Sequence, residues 1–314
     1  MKTYRLLYLI ILLFTIACSE DDKTIDVVTE EIEIGAYLRT LNRINPDFEH
    51  TNFQSTFSIE VEHQDEQDGV LFDFLRLYIQ YIDRSPENGI ATTQELAFRD
   101  IPASEFEIGA NLIPRGMIDV VYQDAIDFLN VDANSIAVGD QFKLRVEIHL
   151  TDGRTFSNED GSSRIFTDSC LFKSPYRYVI NVIEPIEDDL FTGVYNYEII
   201  DGEEDPRFQI PFEGIVTITN GNTPNVRRTG IIGEGLEFTI AGSNVYPKIY
   251  QHFGTLCRMT FFRLLTGPDE ESFGQVDLTD DTVFELDLVF GYEGLIGAED
   301  IGTPVTYKFR FSKQ

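Results

Sequence analysis

The sequence predicts an all-β chain: an N-terminal immunoglobulin-like sandwich, then a second antiparallel β domain that is either a small barrel or a second sandwich. Three observations predict it. Apolar and polar residues alternate with period two along most of the chain, which buries one face of a strand and wets the other. Clusters of Gly, Pro and Asn punctuate those runs, as turns require. Twenty-five Phe and 14 Tyr among 314 residues supply core-forming rings that a disordered acidic chain lacks.

Taken in order, the first strand falls near 31–40. Phe57, Ile59 and Val61 then alternate with Ser58, Glu60 and Glu62. Leu75, Leu77, Ile79 and Tyr81 form one face of the next run, and further runs lie near 94–101 and 114–121. A short helix is predicted over Tyr122 to Asn130, because Ala125, Ile126 and Leu129 share a helical face; it would cross between sheets. Leu144, Val146, Ile148 and Leu150 alternate with Lys143, Arg145, Glu147 and His149, and Tyr178, Ile180 and Val182 close the set. Seven strands is the count of an immunoglobulin-like sandwich, assigned to 31–184. A boundary is predicted at Glu184-Pro185-Ile186-Glu187-Asp188-Asp189, where proline stops a ladder and acids favour solvent. The second domain, 190–314, alternates at Tyr195, Tyr197 and Ile199, at Phe284, Leu286, Leu288 and Phe290, and at Tyr307, Phe309 and Phe311.

The N-terminus reads as an address. Lys2 and Arg5 precede a nearly continuous apolar run, Leu6 to Ile16, too short for the roughly 20 residues a bilayer needs. Residues 1–17 are therefore predicted to be an export signal. Thr15-Ile16-Ala17-Cys18 resembles a bacterial lipobox, which implies lipidation of Cys18. Ser19, Glu20, Asp21 and Asp22 follow directly and resemble the surface-export signal of Bacteroidota lipoproteins; as a plain sequence they also make a solvated acidic tether over 18–30.

Charge narrows the function classes. Lys and Arg number 24 against 54 Asp and Glu, for a net charge of −30. Nucleic-acid binding needs clustered cations, and attraction to anionic lipid needs the same sign, so both are excluded as the main activity.

No catalytic motif stands out by residue type and spacing. His50, His63, His149 and His252 show no metal-ligand spacing, and neither a Gly-x-Ser-x-Gly elbow nor a Gly-rich phosphate loop is present. With 54 carboxylates, no acidic pair stands out as a glycosidase pair, and the sequence is read as non-enzymatic with no resident cofactor. One end of the sandwich offers a candidate calcium site. There the second-to-third strand loop holds Asp65, Glu66 and Asp68 with Gly69 at the turn, and the sixth-to-seventh holds Asp152, Asn158, Glu159 and Asp160. Calcium takes six to eight oxygen ligands, which two converging acidic loops supply; the alternative is two solvated turns. The chain has no Trp, so sugar stacking would fall to Tyr246, Tyr250 and Tyr292, which otherwise cap the second core. Cys170 and Cys257 are read as unpaired, although an oxidising surface permits a disulfide.

The runs Gly35-Ala36-Tyr37-Leu38-Arg39-Thr40, Val61-Glu62-His63-Gln64-Asp65, Leu150-Thr151-Asp152-Gly153-Arg154-Thr155-Phe156-Ser157 and Ser174-Pro175-Tyr176-Arg177-Tyr178-Val179-Ile180-Asn181-Val182 together resemble a family of Bacteroidota outer-membrane surface lipoproteins found beside SusC/SusD-type uptake pairs. The resemblance covers residues 1 to about 184 and implies an immunoglobulin-like first domain with a β-rich second one. It implies an accessory binding or docking role at a SusC/SusD-type transporter, and it carries no catalytic residue. A structural subunit of another outer-membrane machine, for secretion or protein insertion, stays open as the alternative, and a surface hydrolase ranks third.

Overall fold

A computed structural model describes residues 35–85, 91–160, 165, 172–203, 211–231, 235–249, 251, 263–264, 273–291 and 305–314. The first β part holds two facing sheets. One has the order β1 (Tyr37–Asn45), β3 (Thr56–Gln64), β7 (Pro114–Val121) and β6 (Glu107–Ile108). The other runs β2 (Phe48–Glu49), β10 (Arg177–Ile183), β8 (Gln141–Leu150), β4 (Phe72–Ile82) and β5 (Leu96–Pro102), with β9 (Thr155–Phe156) hairpinned onto β8. Pairing is antiparallel apart from β2 on β10.

Alternation explains why these segments are strands. In β8 every second side chain from Phe142 to Leu150 is buried, and Leu144, Val146 and Ile148 are fully so. They meet Ile59 and Val61 of β3 and Leu75, Leu77 and Ile79 of β4 in one core. The helix α1 (Tyr122–Leu129) leads from β7 of one sheet toward β8 of the other. Its buried residues Tyr122, Ala125, Ile126 and Leu129 fall at i, i+3, i+4 and i+7. Asn130 ends it at φ 54°, a left-handed cap that Asn tolerates better than most residues.

The second β part is a closed barrel, which decides between the two expected architectures. Its strands are β11 (Gly193–Asp201), β12 (Glu213–Asn220), β13 (Val226–Thr229), β14 (Leu236–Ala241), β15 (Asn244–Pro247), β17 (Gly274–Asp277), β18 (Asp280–Gly291) and β19 (Val305–Lys313), hydrogen-bonded in that order. The ring closes because β19 pairs with β18 from Val283↔Ser312 to Phe290↔Val305 and also with β11. The short β16 (Arg263–Leu264) adds to β18. Rings fill the interior: Phe284 and Phe311 stack at 4.6 Å, and Tyr195, Phe238 and Phe309 are fully buried beside them. An eight-stranded barrel is narrow enough for side chains to fill.

Ala36–Gln314 forms one compact unit, so sandwich and barrel are packed together. Arg227, fully buried, shows how the connection is held. Its Nε donates to the Leu190 carbonyl at 2.8 Å, and its Nη atoms donate to the carbonyls of Pro224, Val226 and Glu187. Asn225 Nδ2 donates to the carbonyls of Glu184 and Ile240. The segment predicted as a solvated boundary is thus pinned to the barrel by its backbone. Among the described residues no helix is long and apolar enough to cross a membrane.

Candidate functional site

The two acidic loops do converge. Arg154 Nη2 lies 2.7 Å from Glu66 Oε1 and 2.7 Å from Asp152 Oδ2, joining the β3–β4 turn to the β8–β9 turn. Convergence alone does not make a calcium site, because several of the carboxylates there already have protein partners. Asp65 Oδ1 accepts from the amides of Gln67 and Gly69, and Oδ2 from the amide of Leu71 and from His63 Nε2 at 3.1 Å. A carboxylate offers about four acceptor positions, so Asp65 has none left. Burial pushes its carboxyl up, but His63 and the amides outweigh burial and hold it below the usual range. Asp152 is held low by Arg154, and Asp160 Oδ2 accepts from the amide and hydroxyl of Ser157. Asp68 sits exposed at φ 55°. Among the described residues no group of three or more His, Cys, Asp or Glu is placed to hold a metal. The Arg154 guanidinium sits between Glu66 and Asp152 at this tip.

Of the three tyrosines, Tyr246 is 4% exposed and packs with Ile183 and Ala241 between the two β parts, rather than capping the barrel core. Burial pushes its hydroxyl above the usual tyrosine range. Tyr250, Tyr292, Cys170, Cys257 and the segment Cys18, Ser19, Glu20, Asp21 and Asp22 lie outside the described residues.

Tyr246 leads to a site the sequence reading missed. A cleft of about 300 Å³ opens where the sandwich meets the barrel. One wall comes from β1 (Thr40, Asn42, Arg43), the residue Asp47 before β2, Asn181 of β10, and Lys173. The facing wall comes from Asn222 and Thr223 in the β12–β13 turn, Arg228, Glu237, Tyr246 and Lys248.

Asp47 is the unusual member. It is 9% exposed, and Oδ1 accepts from the backbone amide of Asn181 at 3.1 Å and from its side-chain amide at 2.8 Å. Asn181 is itself held by Gln141 Nε2 at 2.9 Å. Oδ2 of Asp47 has no hydrogen-bond partner among the described residues, and neither does Thr223 Oγ1 on the opposite wall. Burial raises the Asp47 carboxyl to about 6 against the pull of Asn181 and Arg43, and Glu237 adds to the rise. Across the cleft Glu237 holds Arg228 at 2.7 Å and Lys248 at 3.4 Å. Arg43 lies over the Tyr178 ring at 5.8 Å, close enough for a cation–π contact. The walls therefore carry Arg43, Lys173, Arg228 and Lys248 against Asp47 and Glu237, reversing the 24-to-54 ratio of the whole chain. No local motif marks this site: Asp47 and Asn181 are 134 residues apart.

No family model matches the chain, and no curated protein matches it. Among solved structures it is similar to the sporulation control protein Spo0M of Bacillus subtilis, at 9% identity and a TM-score of 0.24, covering 89% of this chain and 91% of that one. It is also similar to a DUF4466 family protein of Parabacteroides merdae, at 8% identity and a TM-score of 0.21, covering 90% of this chain and all of that one. Likenesses this distant say nothing further about fold or function.

Proposed function

We propose that this chain is a non-enzymatic, lipid-anchored outer-membrane protein facing the cell exterior, acting as an accessory binding and docking subunit of a SusC/SusD-type nutrient-uptake system. The single observation that carries the binding role is the junction cleft. Its two walls come from different sheet systems packed into one unit, and its polar atoms are incompletely paired. Natural interiors rarely leave such atoms unmatched without a functional reason. The anchor rests on Cys18 and the apolar run before it, and the transporter partner rests on the sequence resemblance. Gentle detergent extraction of outer membranes, capture of the tagged full chain and identification of co-purified bands test the reading. A SusC/SusD-type pair is expected. Components of a secretion or insertion machine instead would overturn it in favour of a structural role there.

A further inference from the structure

The junction cleft says what kind of ligand it takes. Resting on its reading as a binding site, we propose that it holds an anionic sugar unit: its acid group on the Arg43–Lys173 side, its hydroxyls between Asp47 and Thr223. Four cations line a cleft in a chain of net charge −30. Glu237 bridges Arg228 and Lys248, so the cations of that wall are already paired. Arg43 and Lys173 on the other wall face the single carboxylate of Asp47. A guanidinium matches carboxylate and sulfate oxygens in a fork, and an ammonium serves as a point charge.

The remaining chemistry asks for hydroxyls. Asp47 Oδ2 needs a donor, and Thr223 Oγ1 lacks any partner among the described residues. A hydroxyl both donates and accepts, so neighbouring hydroxyls on one ring can serve both. Asn42, Asn181 and Asn222 line the same cleft with amides, which hydrogen-bond hydroxyls in either direction. An amino acid or peptide also carries a carboxylate, but its ammonium would have to enter beside Arg43 and Lys173. A neutral sugar would use the amides and make no use of Arg43 and Lys173.

The test is calorimetric titration of the purified full chain in detergent with glucuronate, glucose 6-sulfate, glucose and glycylglycine, at low salt. At least one of the two anionic sugars is expected to bind tenfold or more tighter than glucose, and which one does names the acid group. Lys173→Gln, at an exposed position, should weaken the anionic sugar severalfold and leave glucose unchanged. Asp47→Asn replaces the unpaired acceptor with a donor, keeps an oxygen for Asn181, and should weaken anionic and neutral sugars alike. Thermal unfolding of each variant verifies that it is folded. Equal binding of glucose and both anionic sugars, no binding by any sugar, or a preference for the dipeptide would overturn the inference. Failure here with a transporter still captured from membranes removes the ligand class alone; sugar binding without that partner removes the docking role alone.

Discussion

The Tyr246 hydroxyl donates to the Gly139 carbonyl at 2.5 Å, so strand β15 of the barrel is tied to the residue two before strand β8 of the sandwich. Gly139 adopts φ 102°, and a Cβ there would lie 3.0 Å from Asn244 Nδ2, which itself donates to the Tyr246 hydroxyl at 2.9 Å. Two β systems thus meet through one buried hydroxyl with a partner on each side. Tyr246→Phe removes both bonds and leaves a buried carbonyl and amide unmatched, at a cost of about 1–3 kcal/mol. Urea unfolding should show a lower midpoint with little change in slope. An unchanged midpoint would mean that the junction is held by packing alone.

Arg227 offers a second check on the same assembly. Its guanidinium is buried among backbone carbonyls of the connecting segment, and burial lowers its pKa although Asp188 and Asp189 oppose the shift. Arg227→Ala should destabilise by about 3 kcal/mol or more, because several buried carbonyls lose a charged donor at once. Arg227→Lys should rescue little, since a point charge cannot reproduce the fork. Limited proteolysis should cut near 184–192 faster in both variants; equal rates would show the connection to be held by other contacts.

At the sandwich tip, millimolar calcium and chelator should give the same thermal midpoint, because Glu66 and Asp152 already share the Arg154 guanidinium. Asp65→Asn should destabilise by about 1–3 kcal/mol through lost acceptors. Because the Asp65 carboxyl is lowered in the fold, its stabilisation is present above the ordinary carboxylate pKa and is lost as pH falls below it. A calcium-dependent rise in the wild-type midpoint would instead place an ion at this tip.

Cys18→Ser should release the chain from membranes or leave an uncleaved precursor, read by fractionation and mass. Alanine at Glu20, Asp21 and Asp22 should reduce protease accessibility on intact cells. Mature, membrane-bound protein in the first variant would contradict the anchor, and unchanged surface exposure in the second would contradict the export signal.

Local features were legible in the sequence, and assembled ones were not. Alternation located β3, β4 and β8, and the spacing of Ala125, Ile126 and Leu129 located α1 with Asn130 as its stop, because each signal lies within one element. The first strand was expected over 31–40 and is described over Tyr37–Asn45, since alternation weakens where β1 is bulged between Thr40 and Asn42. Barrel closure depends on β19 reaching both β11 and β18, which no window along the chain contains. Meeting of the acidic loops was legible from strand order. The role of Arg154 there, two residues beyond Asp152, was not, because its second partner Glu66 lies 88 residues away in the chain. The cleft was out of reach, because Asp47, Asn181, Thr223 and Glu237 are gathered from both β parts.

The central claim is that the cleft is built for a ligand at some expense of stability, and one variant tests it most directly. Asp47 is raised from 3.8 to about 6 by burial, with Asn181 and Arg43 opposing and Glu237 assisting. The folded chain therefore binds more protons than the unfolded chain between those values, and stability falls as pH rises through the window. At about 1.4 kcal/mol per pKa unit, the cost at neutral pH is on the order of 2–3 kcal/mol. The measurement is the denaturant midpoint of Asp47→Asn against wild type at pH 7.5 and pH 4.5. The expected result is a more stable variant at pH 7.5, with a gain of about 2 kcal/mol that shrinks markedly at pH 4.5. A variant less stable than wild type at pH 7.5 would make Asp47 an ordinary structural residue and contradict the claim.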